Sequence, residues 1–241
     1  MSDAGTSSTS TANGGSDGGS GASRDGEAGE NSAPGPGAGE LLVDFILSLD
    51  GSAAGEGWPG WWGLESPEYL AWLGEQPDSV TLMGATTYRL MATMAEQAQR
   101  IDVSEEEKDS FAQMAQLPKV VFSSTLGEPL AWPNTTLISA DAVEAVRDLK
   151  RTSTMPLTTT GSIRLSHSLL KAGLVDRFRV IMFPVITGRT GLERIWEQFD
   201  DFALELVTAR TFEGGLQLLE YVPTHLPEPP GTAWDRLEGA E

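Results

Sequence analysis

Apolar and polar positions along this chain switch between a period of two and a period near 3.6, and the switches mark out strands and helices. Residues 41–49 form a mostly apolar run closed by Asp50-Gly51, which predicts a buried first strand and a turn. A Gly- and Trp-rich loop follows over residues 56–63. Ser66-Pro67-Glu68 then opens a helix. Ser66 suits the N-cap, Pro67 the first helical position and Glu68 the positive end of the helix dipole. The pattern turns Leu70 and Leu73 toward the core. A short β-rich run at residues 79–83 leads through Gly84 into a helix carrying Tyr88, Met91 and Met94. Ser104 with Glu107 reads as a capping box for a third helix that ends before Pro118. Residues 119–123 and 135–139 are further strands, and Asp141 caps a helix reaching about Lys150.

The segment from 156 to 187 carries the most information. A β-rich run at 156–160 breaks at Gly161-Ser162, and an amphipathic helix with Leu165, Leu169 and Leu170 on one face follows. Gly173 stops that helix, and a second β-rich run spans 177–187. Strand, small-residue turn, helix and strand make a crossover that lies on an open α/β sheet. Two last β-rich runs, 202–210 and 216–222, join through Phe212-Glu213-Gly214-Gly215 as a β-hairpin.

Composition sets the limits of the domain. Residues 2–40 contain no large aliphatic or aromatic side chain, so they bury too little apolar surface to offset their ordering entropy. The expected organisation is a disordered Gly/Ser-rich acidic tail over 1–40, one α/β domain over 41–224, and a Pro-rich flexible tail over 225–241. The first tail lacks the basic and apolar regions of a signal peptide. With no cysteine, disulfides, thiolate catalysis and Cys-ligated metals are excluded. His167 and His225 are the two histidines; no metal site is expected, and His167 reads as a packing or surface residue. No apolar run approaches the ~20 residues needed to span a bilayer. A formal charge of −19 argues against nucleic-acid binding. It also requires any site for an anionic cofactor to be locally positive. A cytoplasmic protein without membrane or nucleic-acid partners is expected.

Chemistry concentrates at the small-residue turns. Unpaired N–H groups at a helix N-terminus carry partial positive charge, so Gly161-Ser162 suits a phosphate cradle. The same residues also suit a tight turn with Ser162 as a helix N-cap.

Four motifs occur in order: LSLDGSAAG at 47–55, LMGATTY at 82–88, KVVFSSTL at 119–126 and the crossover at 158–191. Together they resemble the dihydrofolate-reductase-like superfamily, and within it the branch shared with the reductase domain of bacterial riboflavin biosynthesis. The resemblance implies a mostly parallel α/β sheet flanked by helices, with a C-terminal antiparallel β-hairpin. It implies an NADPH-dependent oxidoreductase acting on a small heterocyclic or carbonyl-type substrate, commonly a homodimer. Gly161, Ser162 and Ile163 match the turn that contacts the pyrophosphate. Arg164 falls where an arginine often meets the adenosine phosphate, a task suited to a bidentate guanidinium; an exposed helix residue is the other reading. Gly84, Thr86 and Thr87 match the second phosphate loop, in which Ala85 replaces a common arginine. Ser123 and Ser124 match the adenosine-side loop, or form an ordinary polar turn.

On the acceptor side Asp50 either relays a proton or makes an Asx turn with Gly51. Trp58 and Trp62, with Trp61, either stack on a flat heteroaromatic substrate or cover a sheet edge. Glu68 and Tyr69 lie near the helix position that holds the pterin in dihydrofolate reductases. The motif places Tyr69, not an acid, at that position, so efficient dihydrofolate reduction is not expected. The rival to an enzyme is a non-catalytic dinucleotide or small-molecule binding module on the same fold, which turnover distinguishes.

Overall fold

Strand β1 (Leu41–Ser48) is buried on both faces, with Leu41, Val43 and Leu47 at most 1% exposed on one and Leu42 and Ser48 at most 2% on the other. That is why its sequence is nearly continuous in apolar residues rather than alternating. The computed structural model describes residues 35–61, 63–98, 112–197, 199–228 and 231. Around β1 lies an eight-stranded sheet of order β10-β11-β8-β1-β7-β4-β5-β6. Its members are β4 (Val80–Gly84), β5 (Lys119–Phe122), β6 (Thr135–Ile138), β7 (Leu157–Thr159), β8 (Arg177–Phe183), β10 (Phe202–Thr211) and β11 (Gln217–His225). β1 pairs parallel with β7 and β8, and β4 pairs parallel with β7 and β5. β11 runs antiparallel to both β8 and β10. This mostly parallel sheet with a C-terminal antiparallel pair is the dihydrofolate-reductase-like arrangement that the motifs imply.

Alternating side chains send the sheet's residues into cores on its two faces. On one face Val43, Phe45, Leu82, Phe178 and Val180 meet Val146 of α3 (Ala142–Thr152) and Leu169 and Leu170 of α4 (Ile163–Lys171). On the other, Ile181 and Phe183 meet Tyr69 of α1 (Pro67–Gly74), and Met83 and Val121 meet Tyr88 and Ala95 of α2 (Ala85–Ala98). Two caps form as the sequence requires: Ser66 Oγ accepts from the Tyr69 amide at 3.1 Å, and Asp141 accepts from Val143 and Glu144.

Several expectations need correction. Leu70 and Leu73 do not face the core; they are 53% and 46% exposed. The buried stripe of α1 is instead Tyr69 with Trp72, whose rings pack on Phe212 with centroids 5.5 Å away in each case. Large aromatic faces bury more apolar area than leucines, and they set the rotation of the helix. The strand expected to run to residue 187 ends at Phe183, because Pro184 has no N–H to extend the ladder. The Gly/Trp loop contains a short strand of its own, part of a second sheet. β2 (Ser52–Gly55), β3 (Trp58–Pro59) and β9 (Gly191–Arg194) form a three-stranded sheet of order β3-β2-β9. The domain also extends past both expected boundaries. Pro36 and Gly39 are buried, with the Gly39 amide donating to Met155 O, and β11 reaches His225 with Leu226 bonded to Asp201. Residues 1–34, 229–230 and 232–241 of the tails and the proposed capping box at Ser104 lie outside the described residues.

Lys119 is a charged residue inside the structure, 2% exposed. Its Nζ donates to the carbonyls of Met114, Ala115 and Leu117 at 2.6–3.2 Å and lies 4.7 Å from the Trp132 ring centre. The carbonyls are those ending the helical stretch 112–116, so the lysine acts as its C-cap. Burial pushes its amine down to about 8.

The packing yields a direct contrast. Leu169→Ala should cost about 2–5 kcal/mol in urea unfolding, whereas Leu70→Ser should change stability by less than about 0.5 kcal/mol. A large loss in the Leu70 variant would show that the exposed face of α1 is covered.

Candidate active site

In a parallel sheet the strands that share a direction bring their C-terminal ends to one edge, where ligands bind. Here the turns after β7, β4 and β5 emerge side by side. The first is built from two consecutive left-handed residues, Gly161 at φ +53° and Ser162 at φ +60°. Glycine takes this conformation freely; serine does so at a cost of about 1–2 kcal/mol. The Ser162 hydroxyl offsets that cost. It accepts from the Gly84 amide at 2.8 Å, lies 2.9 Å from Thr87 Oγ1, and donates to Thr160 O at 3.3 Å. A Cβ added to Gly161 would lie 3.2 Å from Thr87 Oγ1.

The structure thus brings Gly84, Thr87, Gly161 and Ser162 into one hydrogen-bonded unit. The first intrahelical bond of α4 runs from Ser166 N to Ser162 O, which leaves the amides of Ile163, Arg164 and Leu165 without intrahelical acceptors. Thr86 lies in the first turn of α2. Two expectations change in detail. Ser162 makes no side-chain cap to its own helix, because its hydroxyl is turned to the β4 loop. The Gly84 amide is consumed by that contact, so Gly84 shapes the cradle without offering a donor. Arg164 is exposed on the first turn of α4. Ser123 closes its own turn, accepting from Thr125 and Leu126 amides at 3.1 Å, and Ser124 is exposed beside it.

Of the acceptor-side residues, Tyr69 and Trp58 belong to one apolar cluster with Trp61, and Asp50 and Glu68 are each bonded to a neighbouring loop. Asp50 clasps the loop after β8, accepting from the amides of Thr187 at 3.1 Å and Gly188 at 2.9 Å, with Arg194 3.9 Å away. The Ser48 hydroxyl and the Thr187 and Gly188 amides hold its carboxyl well below the usual carboxylate range. These contacts tie Asp50 to the loop after β8. Glu68 is likewise committed, bonded to Arg210 at 2.8 Å and to the Glu213 amide at 2.7 Å. Its carboxyl is lowered by those same partners. Tyr69 is a core residue, and burial pushes its hydroxyl above its ordinary value. Trp58 is half-buried, edge-on to the fully buried Trp61 at 5.3 Å. Trp62 lies outside the described residues.

Sequence reading passed over Asp44 and Arg179, a charged pair set in the apolar strands β1 and β8 and bonded at 2.6 Å. The signal was present: a charge in the middle of a doubly covered strand demands a partner. A separate apolar cleft of about 160 Å³ lies between Leu170, Phe178, Trp196, Phe202 and Leu204, and none of the expected site residues lines it. Among the described residues no group of three His, Asp or Glu side chains is placed to hold a metal ion, and no helix is long and apolar enough to cross a membrane.

The strand order and the small-residue turns at one sheet edge define a domain of the dihydrofolate-reductase-like class. Within it, the chain belongs to the RibD C-terminal domain family, whose model matches residues 40–218. The uncharacterized protein YyaP of Bacillus subtilis is 25% identical over 183 residues, covering 75% of this chain and 93% of that protein. Among solved structures, a putative riboflavin biosynthesis protein from Shewanella sp. PV-4 superposes with a TM-score of 0.57 at 19% identity, over 77% of this chain and 99% of its own. A deaminase/reductase from Thermotoga maritima, named for 5-amino-6-(5-phosphoribosylamino)uracil reduction, gives a TM-score of 0.53 at 16% identity, over 78% of this chain and 57% of its own. At these identities the superpositions show the shared fold.

The clasp at Asp50 has a pH signature. Its folded carboxyl titrates below the unfolded value, so its stabilisation is present above the ordinary aspartate range and is lost as pH falls through the folded value. Asp50→Ala should therefore lower stability at pH 7, by about 0.5–1.5 kcal/mol from the lost hydrogen bonds, with the gap to wild type narrowing in strong acid. Urea unfolding at a series of pH values measures this; a constant gap would reject the carboxylate clasp.

Proposed function

We propose that this protein is a cytoplasmic NADPH-dependent reductase of a small heterocyclic or carbonyl-type substrate, related to the reductases of riboflavin biosynthesis and working as a homodimer. The observation that carries the reading is the stapled pair of turns at the sheet's C-terminal edge, with the first-turn amides of α4 and α2 beside them. Residue for residue, the fit to a dinucleotide is good on the pyrophosphate side. Gly161 presents no Cβ, Ile163 and Arg164 offer amides, and Arg164 supplies a cation in a chain of formal charge −19. Bound there, the cofactor would supply a hydride. The protein's own part is to hold the phosphates, to orient the acceptor against the sheet and to exclude water. The homodimer finds support at edge strand β10, where Leu204 and Leu206 are 42% and 55% exposed.

A binding module without turnover is the second reading. Ala85 supplies no cation to the second loop, and the committed carboxylates of Asp50 and Glu68 favour it. Incubating the protein with NADPH and a panel of heterocyclic and carbonyl acceptors separates the two readings by whether NADPH is oxidised.

The cradle is tested by fluorescence titration with NADPH. Gly161→Val should weaken binding by more than about tenfold, roughly 1.4 kcal/mol. Unchanged affinity in a folded variant would remove these turns from the site. Dihydrofolate is a discriminating acceptor, because Tyr69 fills the helix position where pterin reduction needs an acid. A site without its polar partner forfeits a few kcal/mol against the ligand built to use it. Negligible dihydrofolate-dependent NADPH oxidation is expected, and brisk turnover would overturn this reading of α1.

A further inference from the structure

Both histidines of the chain converge on one carboxylate oxygen. Asp200 lies in the loop between β9 and β10, His167 on α4 and His225 at the end of β11. His167 Nε2 is 3.7 Å and His225 Nε2 is 3.6 Å from Asp200 Oδ2. Lys171, one turn beyond His167 on α4, pairs with the same oxygen at 2.9 Å. These are the charged groups that face the carboxylate from α4 and β11. Asp201, its neighbour on the loop, is exposed and accepts from the Leu226 amide through its carbonyl. The Lys171 ammonium first, and then the two imidazoles, hold the Asp200 carboxyl below its ordinary value, so it stays ionised over the range in which imidazoles change charge. An ammonium on the shared oxygen makes this a proton-titrating cluster and not a metal centre.

The hydrogen bonding of the cluster is poised between two arrangements. Asp200 Oδ2 is sealed from solvent without an aligned hydrogen-bond donor, Lys171 being close but outside bonding geometry. An ionised acceptor in that state is costly, and native interiors leave few of them. His167 Nε2, meanwhile, accepts from the Asp200 amide at 3.3 Å. An imidazole nitrogen that accepts carries no proton, so His167 is the neutral Nδ1–H form in this arrangement. A proton gained by His167 goes to Nε2 and abolishes that acceptor. The Asp200 amide then loses its partner, and the new Nε2–H has the unmet Oδ2 beside it. Both rings are partly exposed, at 26% for His167 and 33% for His225, so protons reach them from solvent.

The rings also press on the apolar cleft. His167 packs on Phe199 with centroids 5.0 Å apart, and His225 on Phe202 at 5.3 Å; both phenylalanines line the cleft beside Trp196. Trp196 in turn covers the turn after β1. A Cβ added to Gly51 would lie 2.5 Å from its Cδ1, and the Ile195 amide donates to Gly51 O at 3.1 Å. The wall of the cleft is thus fixed at the β1 turn on one side and at the histidine cluster on the other.

We propose that His167 is a proton-operated latch: as pH falls from about 8 to 5, its Nε2 exchanges the Asp200 amide for the Asp200 carboxylate and draws this wall of the cleft onto α4 and β11. The latch stands apart from the reductase reading, and its test needs no cofactor. The full chain, labelled with ¹⁵N, is titrated by NMR across the same range. At the alkaline end the His167 Nε2 resonance should be that of an unprotonated nitrogen, with the Asp200 amide protected from hydrogen exchange. As His167 gains its proton, the Asp200 amide should shift with the same midpoint and lose about tenfold in protection, the equivalent of one lost hydrogen bond. His167→Gln offers the amide an oxygen that does not titrate, so it should keep the protection at both ends and lose the step. A proton on Nε2 at the alkaline end, or an Asp200 amide whose protection survives the titration, overturns the proposal. So does a step that persists in the His167→Gln variant, which would assign the response to His225. The first two outcomes are read on the unaltered chain and require no variant to fold.

Discussion

Burial of β1 on both faces is the constraint from which the remainder of the molecule follows. A parallel strand with no solvent face needs helices above and below, and each parallel neighbour needs a crossover to reach it. The crossovers return every chain segment to the same starting edge, so the turns that leave the strands gather at the opposite edge. Small-residue turns and helix N-termini are therefore collected in one place before any ligand contact is considered. The core clusters on the two faces hold this arrangement, and the site inherits its rigidity from them.

The turns are fixed to one another by polar contacts. Ser162 is held in a backbone conformation it would not choose, and its hydroxyl ties the β4 and β7 turns together across the edge. Asp50 does the same on the other side, tying the end of β1 to the loop after β8. The sequence offered both residues a structural as well as a chemical role, and each ties two loops together here. The amides of Ile163, Arg164 and Leu165 are left without intrahelical acceptors.

Sequence periodicity located the sheet and its helices because long apolar runs and caps are local signals. Ser66 and Asp141 cap their helices as their positions require, and the crossover at Gly161 is where the small residues put it. Legibility failed where tertiary packing decides. The rotation of α1 depends on Tyr69 and Trp72 meeting Phe212, a residue far along the chain, and no helical period in PEYLAWLG distinguishes that stripe from one through Leu70 and Leu73. The small sheet of β2, β3 and β9 was hidden because its strands are too short for alternation to register. The Asp44–Arg179 pair was hidden for another reason: two isolated charges become a pair only when register sets them opposite each other.

Lys119 turns a structural detail into an instrument. Its amine is sealed beneath the helical stretch 112–116 and bonded to three carbonyls, so an acylating reagent can reach it only when that segment opens. Local opening runs on its own free-energy scale, below that of global unfolding. The rate at which this single amine is modified, compared with that of exposed Lys171, would thus read out the breathing of one corner of the sheet without any introduced label.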